Sequence, residues 1–212
     1  MILTRTYLNA RRSGARKLLG SPQAMHAAIL AGFPPGVEPG RPLWRLDTDD
    51  HLKPTLYVVS HERPDLAHLE EQAGWPSQPT TQSRSYDDFL ESLNEGDRWA
   101  FRLTANPTHR VQMGSTSKVL AHVTVAQQLT WLLDRASAIG IDLGSVDEPT
   151  ARVIGREVKK FKRSEQTVTL GTATFDGSLT VSDAPRLRAA LTEGIGRAKA
   201  YGCGLMTLAR PS

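Results

Sequence analysis

The chain opens on ILTRTYL (residues 2–8), where polar and apolar side chains alternate and β-branched residues are dense, the pattern of a strand. The spacing then changes. SPQAMHAAILAGF (21–33) predicts a helix capped by Ser21, with Pro22 in its first turn and Met25, Ala28 and Ile29 as an inward stripe. Period-two segments return at PLWRLD (42–47) and TLYVVS (55–60). DLAHLEEQAG (65–74) predicts a second helix ending at Gly74, and the weakly patterned stretch 78–92 has room for a fourth strand. The order is β-α-β-β-α-β, that of a ferredoxin-like unit.

The second half gives the same order. RWAFRLTAN (98–106) places Trp99, Phe101 and Leu103 on one face of a strand. Thr124 to Gln127 fits a capping box ahead of the helix AQQLTWLLDRASAIG. Strands are expected near 151–158 and 166–175, with TFDGSLTVS (174–182) turning at Asp176-Gly177. APRLRAALTEG supplies the last long helix and GLMTLA the last strand. The expected fold is α+β, two ferredoxin-like (RRM-like) βαββαβ domains in tandem, spanning 1–96 and 97–212. The halves share order and length but no obvious repeat of sequence.

Composition narrows the class. At 212 residues and 39% hydrophobic the chain can bury a core. No apolar run approaches the ~20 residues of a membrane span, and no signal-peptide pattern opens it, so a soluble, cytoplasmic protein is expected. The single Cys203 excludes an internal disulfide and suits a reducing compartment. Net charge is only +4, yet the signs are segregated. Arg5, Arg11, Arg12, Arg16 and Lys17 precede any acid, the stretch 47–97 is strongly acidic, and ARVIGREVKKFKR (151–163) is strongly basic. Such separation favours a polyanionic partner with a defined footprint.

Candidate chemistry is sparse. None of the histidines (26, 51, 61, 68, 109, 122) forms a zinc-hydrolase spacing, and no G-x-S-x-G elbow occurs. Asp47, Asp49 and Asp50 are expected to form a solvated loop between strands rather than a magnesium site, and Cys203 a packing residue. GIGRAKAYGCG (194–204) matches neither the dinucleotide nor the P-loop pattern, so no cofactor is expected. It offers a flexible backbone with one cation, Lys199, at its centre. RAKAYGCGL also lacks the aromatic pair of an RRM stacking sheet. His26 stands at the edge of the buried stripe of its helix or exposed beside it, just past a capped N-terminus and downstream of Arg11, Arg12, Arg16 and Lys17 in a loop expected to be flexible. An imidazole among phosphate-binding cations is the minimal equipment of a metal-independent ribonuclease, in which the 2′-hydroxyl of RNA is the nucleophile.

These motifs together resemble the CasE family, the CRISPR repeat-RNA endoribonuclease of type I-E Cascade. The match rests on ILTRTYLN, SPQAMH, FRLTANPT (101–108), and DAP (183–185) leading to GIGRAKAYGCGLMTLA, in an order that spans nearly the whole chain. The resemblance implies an enzyme that cuts the repeat hairpin of precursor crRNA at its 3′ base and stays on the product beside other Cascade subunits. It places the catalytic histidine at His26. Where the family carries a tyrosine three residues earlier, this chain has Gln23, which hydrogen-bonds but transfers no proton. His26 is then either general base or general acid, and a cleavage-deficient RNA-binding subunit is the alternative. The glycine-rich loop would bring Arg197 and Lys199 to RNA phosphates. A hairpin carrying Arg156, Lys159, Lys160, Lys162 and Arg163 would grip the stem. The acidic stretch is expected to face away from RNA.

Overall fold

The computed structural model describes residues 1–36, 40–114, 116–163 and 165–211; the side chain of Arg163 lies outside the described residues. The first domain contains β1 (Ile2–Tyr7), α1 (Ser13–Leu19), α2 (Pro22–Leu30), β2 (Leu43–Asp47), β3 (Thr55–Ser60), α3 (Ala67–Ala73) and β4 (Thr81–Ser85). Its antiparallel sheet has the order β2-β3-β1-β4. Met25 and Ile29 of α2 bury with Leu18, Leu56, Val58 and Leu69 in one apolar cluster, so the predicted stripe faces the sheet. A short α4 (Asp87–Glu91) leads into the second domain.

That domain contains β5 (Arg98–Ala105), β6 (Thr108–Met113), β7 (Thr116–Ala121), α5 (Val125–Ala136), β8 (Ile141–Asp142), β9 (Ala151–Arg163), β10 (Gln166–Val181), α6 (Ala184–Glu193) and β11 (Met206–Ala209). Its sheet runs β11-β5-β10-β8, with β9 also paired to β10. The capping box forms as the spacing predicts, Thr124 Oγ1 accepting from the Gln127 amide while Gln127 Oε1 accepts from the Thr124 amide. Both units carry the strand order of the ferredoxin-like fold expected from the sequence.

Two of the expected elements are corrected, and one hairpin is added. Residues 13–19, carrying Arg16 and Lys17, form α1 rather than a loop; Ala15 and Leu18 bury, and seven residues are too few for helical periodicity to stand out. β10 runs without a turn through Asp176-Gly177. Gly177 serves close approach, since a Cβ there would lie 2.1 Å from the Thr150 carbonyl oxygen. The β6–β7 hairpin was not predicted, and β7 is exposed on both faces, so burial imprints no alternation on it.

The domains meet across a charged junction. Arg45 is 2% exposed. Its Nε and Nη2 donate to the Asp47 carboxylate at 2.7 and 2.9 Å, and Nη1 donates to the carbonyls of Arg102 (2.7 Å) and Leu205 (3.2 Å). Nη2 also reaches Thr207 Oγ1 at 2.8 Å. Arg102 donates to both Asp176 oxygens at 2.7 Å and to Asp49, which raises its own pKa through these carboxylates. Asp47, on β2, is therefore a counter-ion of the junction and not part of a solvated loop, whereas Asp49 and Asp50 lie in the exposed loop that was expected, Asp49 reaching Arg102 from it. Leu43 and Val59 of the first domain join the apolar core of the second beside it.

A buried guanidinium whose partners lose it leaves unpaired charge and unbonded carbonyls. Arg45→Ala is expected to lower stability by about 3–5 kcal/mol in urea unfolding followed by circular dichroism; a loss under about 1 kcal/mol, the range of an exposed pair, would contradict the junction's role.

Candidate functional site

Helix α2 starts where Ser21 Oγ accepts from the Ala24 amide at 3.2 Å and Pro22 occupies the first turn. With Met25 and Ile29 committed to the core, His26 falls about 100° around the axis and is half-buried. Its Nδ1 is buried with no hydrogen-bond partner. Burial lowers the pKa of the ring below 6.5. The missing acceptor acts in the same direction, because an imidazolium would hold an unsatisfied N–H there. Gln23, also half-buried, lies one turn earlier and neighbours His26 on the helix surface.

The glycine-rich loop packs against this helix. Gly194, Gly196, Gly202 and Gly204 adopt φ of 80, 80, 80 and 94°. At Gly202 a Cβ would lie 2.7 Å from the Trp44 ring, and at Gly196 3.0 Å from Trp131, so both positive φ and close approach require glycine. The loop closes through Ile195 N–H to the Gly204 carbonyl (2.9 Å) and Gly204 N–H to the Thr104 carbonyl (2.7 Å). Between these glycines, Lys199–Tyr201 form a 3-10 turn that lies against α2 and β2. Lys199 Nζ donates to the Glu193 carbonyl at 2.6 Å. Its pKa is lowered, first by burial and then by the nearby Arg41. Arg197 is exposed on the same loop.

The basic hairpin is attached at the same place. Phe161 of β9 sits 4.8 Å from the Tyr201 ring and buries with Leu170 and Cys203. Cys203 is a packing residue, its thiol pushed up to about 12 by burial. β9 also packs against α2. The cations split between its faces. Lys159 shares the face of Phe161 and pairs with Glu157 at 3.3 Å. Arg156, Lys160 and Lys162 lie on the other, opposite Ala173, Thr169 and Thr167 of β10. Arg156 donates to the Val123 carbonyl ahead of α5.

The remaining basic candidates divide as well. Arg11, Arg16 and Lys17 are exposed around α1, which packs on α2. Arg12 is committed elsewhere, its guanidinium donating to the Glu70, Glu71 and Gly74 carbonyls at the end of α3. Arg41 was missed by sequence reasoning; it is one isolated arginine just before β2, with no motif to mark it. Among the described residues no three His, Cys, Asp or Glu side chains are grouped to hold a metal, and no helix is long and apolar enough to cross a membrane.

Known proteins share this arrangement. The family model described as CRISPR associated protein matches residues 1–210. The CRISPR-associated endoribonuclease Cse3 of Thermus thermophilus is 31% identical over 99% of this chain and 100% of its own length. The structure of Thermus thermophilus Cse3 bound to an RNA representing a pre-cleavage complex superposes with a TM-score of 0.80 at 29% identity, covering 98% of each chain. Cas6e from Escherichia coli K-12 shares the fold, with a TM-score of 0.69 at 21% identity and full coverage of both chains. With a matching family model across nearly its whole length and these relatives, the chain belongs to the CRISPR-associated CasE (Cse3) family of endoribonucleases.

Proposed function

We propose that this chain is a metal-independent endoribonuclease that binds the repeat hairpin of precursor crRNA, cuts at its 3′ base and remains on the product as a Cascade subunit. The observation that carries the reading is the environment of His26, a ring kept neutral by burial on a helix packed against the cation-bearing glycine loop. A neutral imidazole is the form that accepts a proton, so His26 acts as general base towards the 2′-hydroxyl. The activated oxygen attacks the adjacent phosphorus and the 5′-oxygen leaves, giving a 2′,3′-cyclic phosphate and a 5′-hydroxyl end.

Gln23 donates its amide to a phosphate oxygen or the 2′-hydroxyl and fixes the attack geometry without taking a proton. Arg197, Lys199 and Arg41 supply positive charge where the phosphorane accumulates negative charge. Lys160, Lys162 and the exposed Arg11, Arg16 and Lys17 contact the RNA backbone, the part of an A-form stem that clustered cations read. Lys159 and Arg156, each with a partner inside the protein, contribute less. The second reading, a subunit that binds and does not cut, is favoured by Gln23 alone.

The direct test incubates wild type and His26→Ala with repeat-hairpin RNA in EDTA. Wild type is expected to leave cyclic-phosphate ends, and His26→Ala to lose about 10²–10⁴-fold in rate with affinity unchanged. Binding by both without cleavage by either would support the second reading. For the pH dependence, the active species is neutral His26, so the single-turnover rate is expected to rise with pH and level off at a midpoint below 6.5; a midpoint above that value would contradict the assignment. Replacing Lys160 and Lys162 together by Ala is expected to weaken binding of all stems and reduce the slope of log K against log salt by roughly 2, while leaving the rate of bound substrate unchanged.

A further inference from the structure

Attack by a 2′-hydroxyl needs two proton transfers, and His26 as base supplies one. The departing 5′-oxygen also needs a proton, because an alkoxide is a poor leaving group. A side-chain donor is expected on an element packed on α2, foremost α1, β9 or the 3-10 turn Lys199–Tyr201. α1 offers Arg16, which does not give up its proton, and Lys17, exposed to solvent. On β9, Lys159 is paired with Glu157, and Lys160 and Lys162 lie on the face opposite Phe161, whose ring packs on the turn. Tyr201 has its ring packed on Phe161.

Lys199 differs from all of these. Its stem runs beside Gly204, where a Cβ would meet Cγ at an ordinary contact distance of 3.4 Å. Among the described residues its ammonium donates once, at 2.6 Å, to the Glu193 carbonyl at the end of α6, and two further N–H groups of the ammonium can serve a substrate. The loop that carries it is fixed by backbone hydrogen bonds and by packing on Trp44 and Trp131. The nitrogen is therefore held in place before RNA arrives.

We propose that Lys199 is the general acid of this site, donating a proton from Nζ to the 5′-oxygen of the scissile phosphate. The assignment rests on the reading of His26 as base. In the step, the 2′-hydroxyl proton passes to His26 as the new O2′–P bond forms. The P–O5′ bond breaks and its electron pair takes the Nζ proton. The imidazolium then releases its proton to water and the amine regains one from water, so no proton is gained or lost overall. Burial and the repulsion from Arg41 both make the ammonium a readier donor than a free lysine.

The test compares two hairpin RNAs, one all-oxygen and one with a single bridging sulfur in place of the scissile 5′-oxygen, whose thiolate leaves without a proton. Lys199→Ala and Lys199→Arg are expected to cut the oxygen substrate about 10²–10⁴-fold slower, because neither methyl nor guanidinium releases a proton. Lys199→Arg, which keeps the charge that faces the phosphorane, is expected to cut the sulfur substrate within a few-fold of wild type and to keep full affinity, which establishes that it folds. Lys199→Ala, which loses that charge as well, is expected to be slowed less on the sulfur substrate than on the oxygen one. Equal slowing on both substrates would overturn the proposal and leave Lys199 as a positioning charge. So would wild-type rates on the oxygen substrate. His26→Ala is expected to stay slow on both; if it cuts normally, the reading of the base fails, and the acid assignment with it.

Discussion

One buried guanidinium carries the architecture. Arg45 starts from β2 of the first domain and ends on carbonyls of β5 and of the segment leading into β11 in the second. Helix α2, which carries His26, and the glycine loop, which carries Lys199, belong to different domains, so their contact exists only while the domains keep one orientation. Apolar contact alone, through Leu43 and Val59, would permit sliding. A hydrogen-bonded arginine with fixed directions removes that freedom, and its charge is balanced on the spot by Asp47. Trp44, the next residue back along β2, receives the tight approach of Gly202. The strand that joins the domains is thus also the strand that seats the loop.

This placement explains how few residues carry the chemistry. In the proposed mechanism RNA brings its own nucleophile, so the protein has to hold a phosphate, accept a proton and donate one. Half-burial tunes both titratable groups through one cause, loss of water around the charged form, which keeps His26 neutral and makes Lys199 more willing to part with its proton. In the proposed reading recognition is handled elsewhere, by exposed cations of β9 and α1 that act on charge and shape and need little precise support. Arg12 and Arg156 look alike in sequence to their neighbours, yet cap α3 and brace the approach to α5.

Much of the fold was legible because burial writes itself into spacing. The stripe Met25, Ala28 and Ile29 marked the inner face of α2, and Thr124 with Gln127 announced α5 before its apolar pattern began. Where burial is absent or the element short, the signal disappears, as in the solvent-exposed β6–β7 hairpin and the seven-residue α1. Gly177 misled for a different reason: glycine marks a tight approach as readily as a turn, and only the neighbouring Thr150 decides between them. His26 and the glycine loop were recognisable through the family's motifs. That Asp47 and Asp49 neutralise arginines, and that Arg41 lies near Lys199, depends on contacts between distant segments that no local pattern encodes.

The most direct measurement concerns the nucleophile itself. A repeat hairpin carrying one 2′-deoxynucleotide immediately 5′ of the cut is bound and assayed beside the all-ribose hairpin. With the substrate's own hydroxyl as attacking group, the deoxy hairpin binds with unchanged affinity and is not cut at that position, while the ribose hairpin yields a 2′,3′-cyclic phosphate. Cleavage of the deoxy hairpin at the same phosphate would mean that water attacks, and the roles assigned to His26 and its neighbours would be wrong.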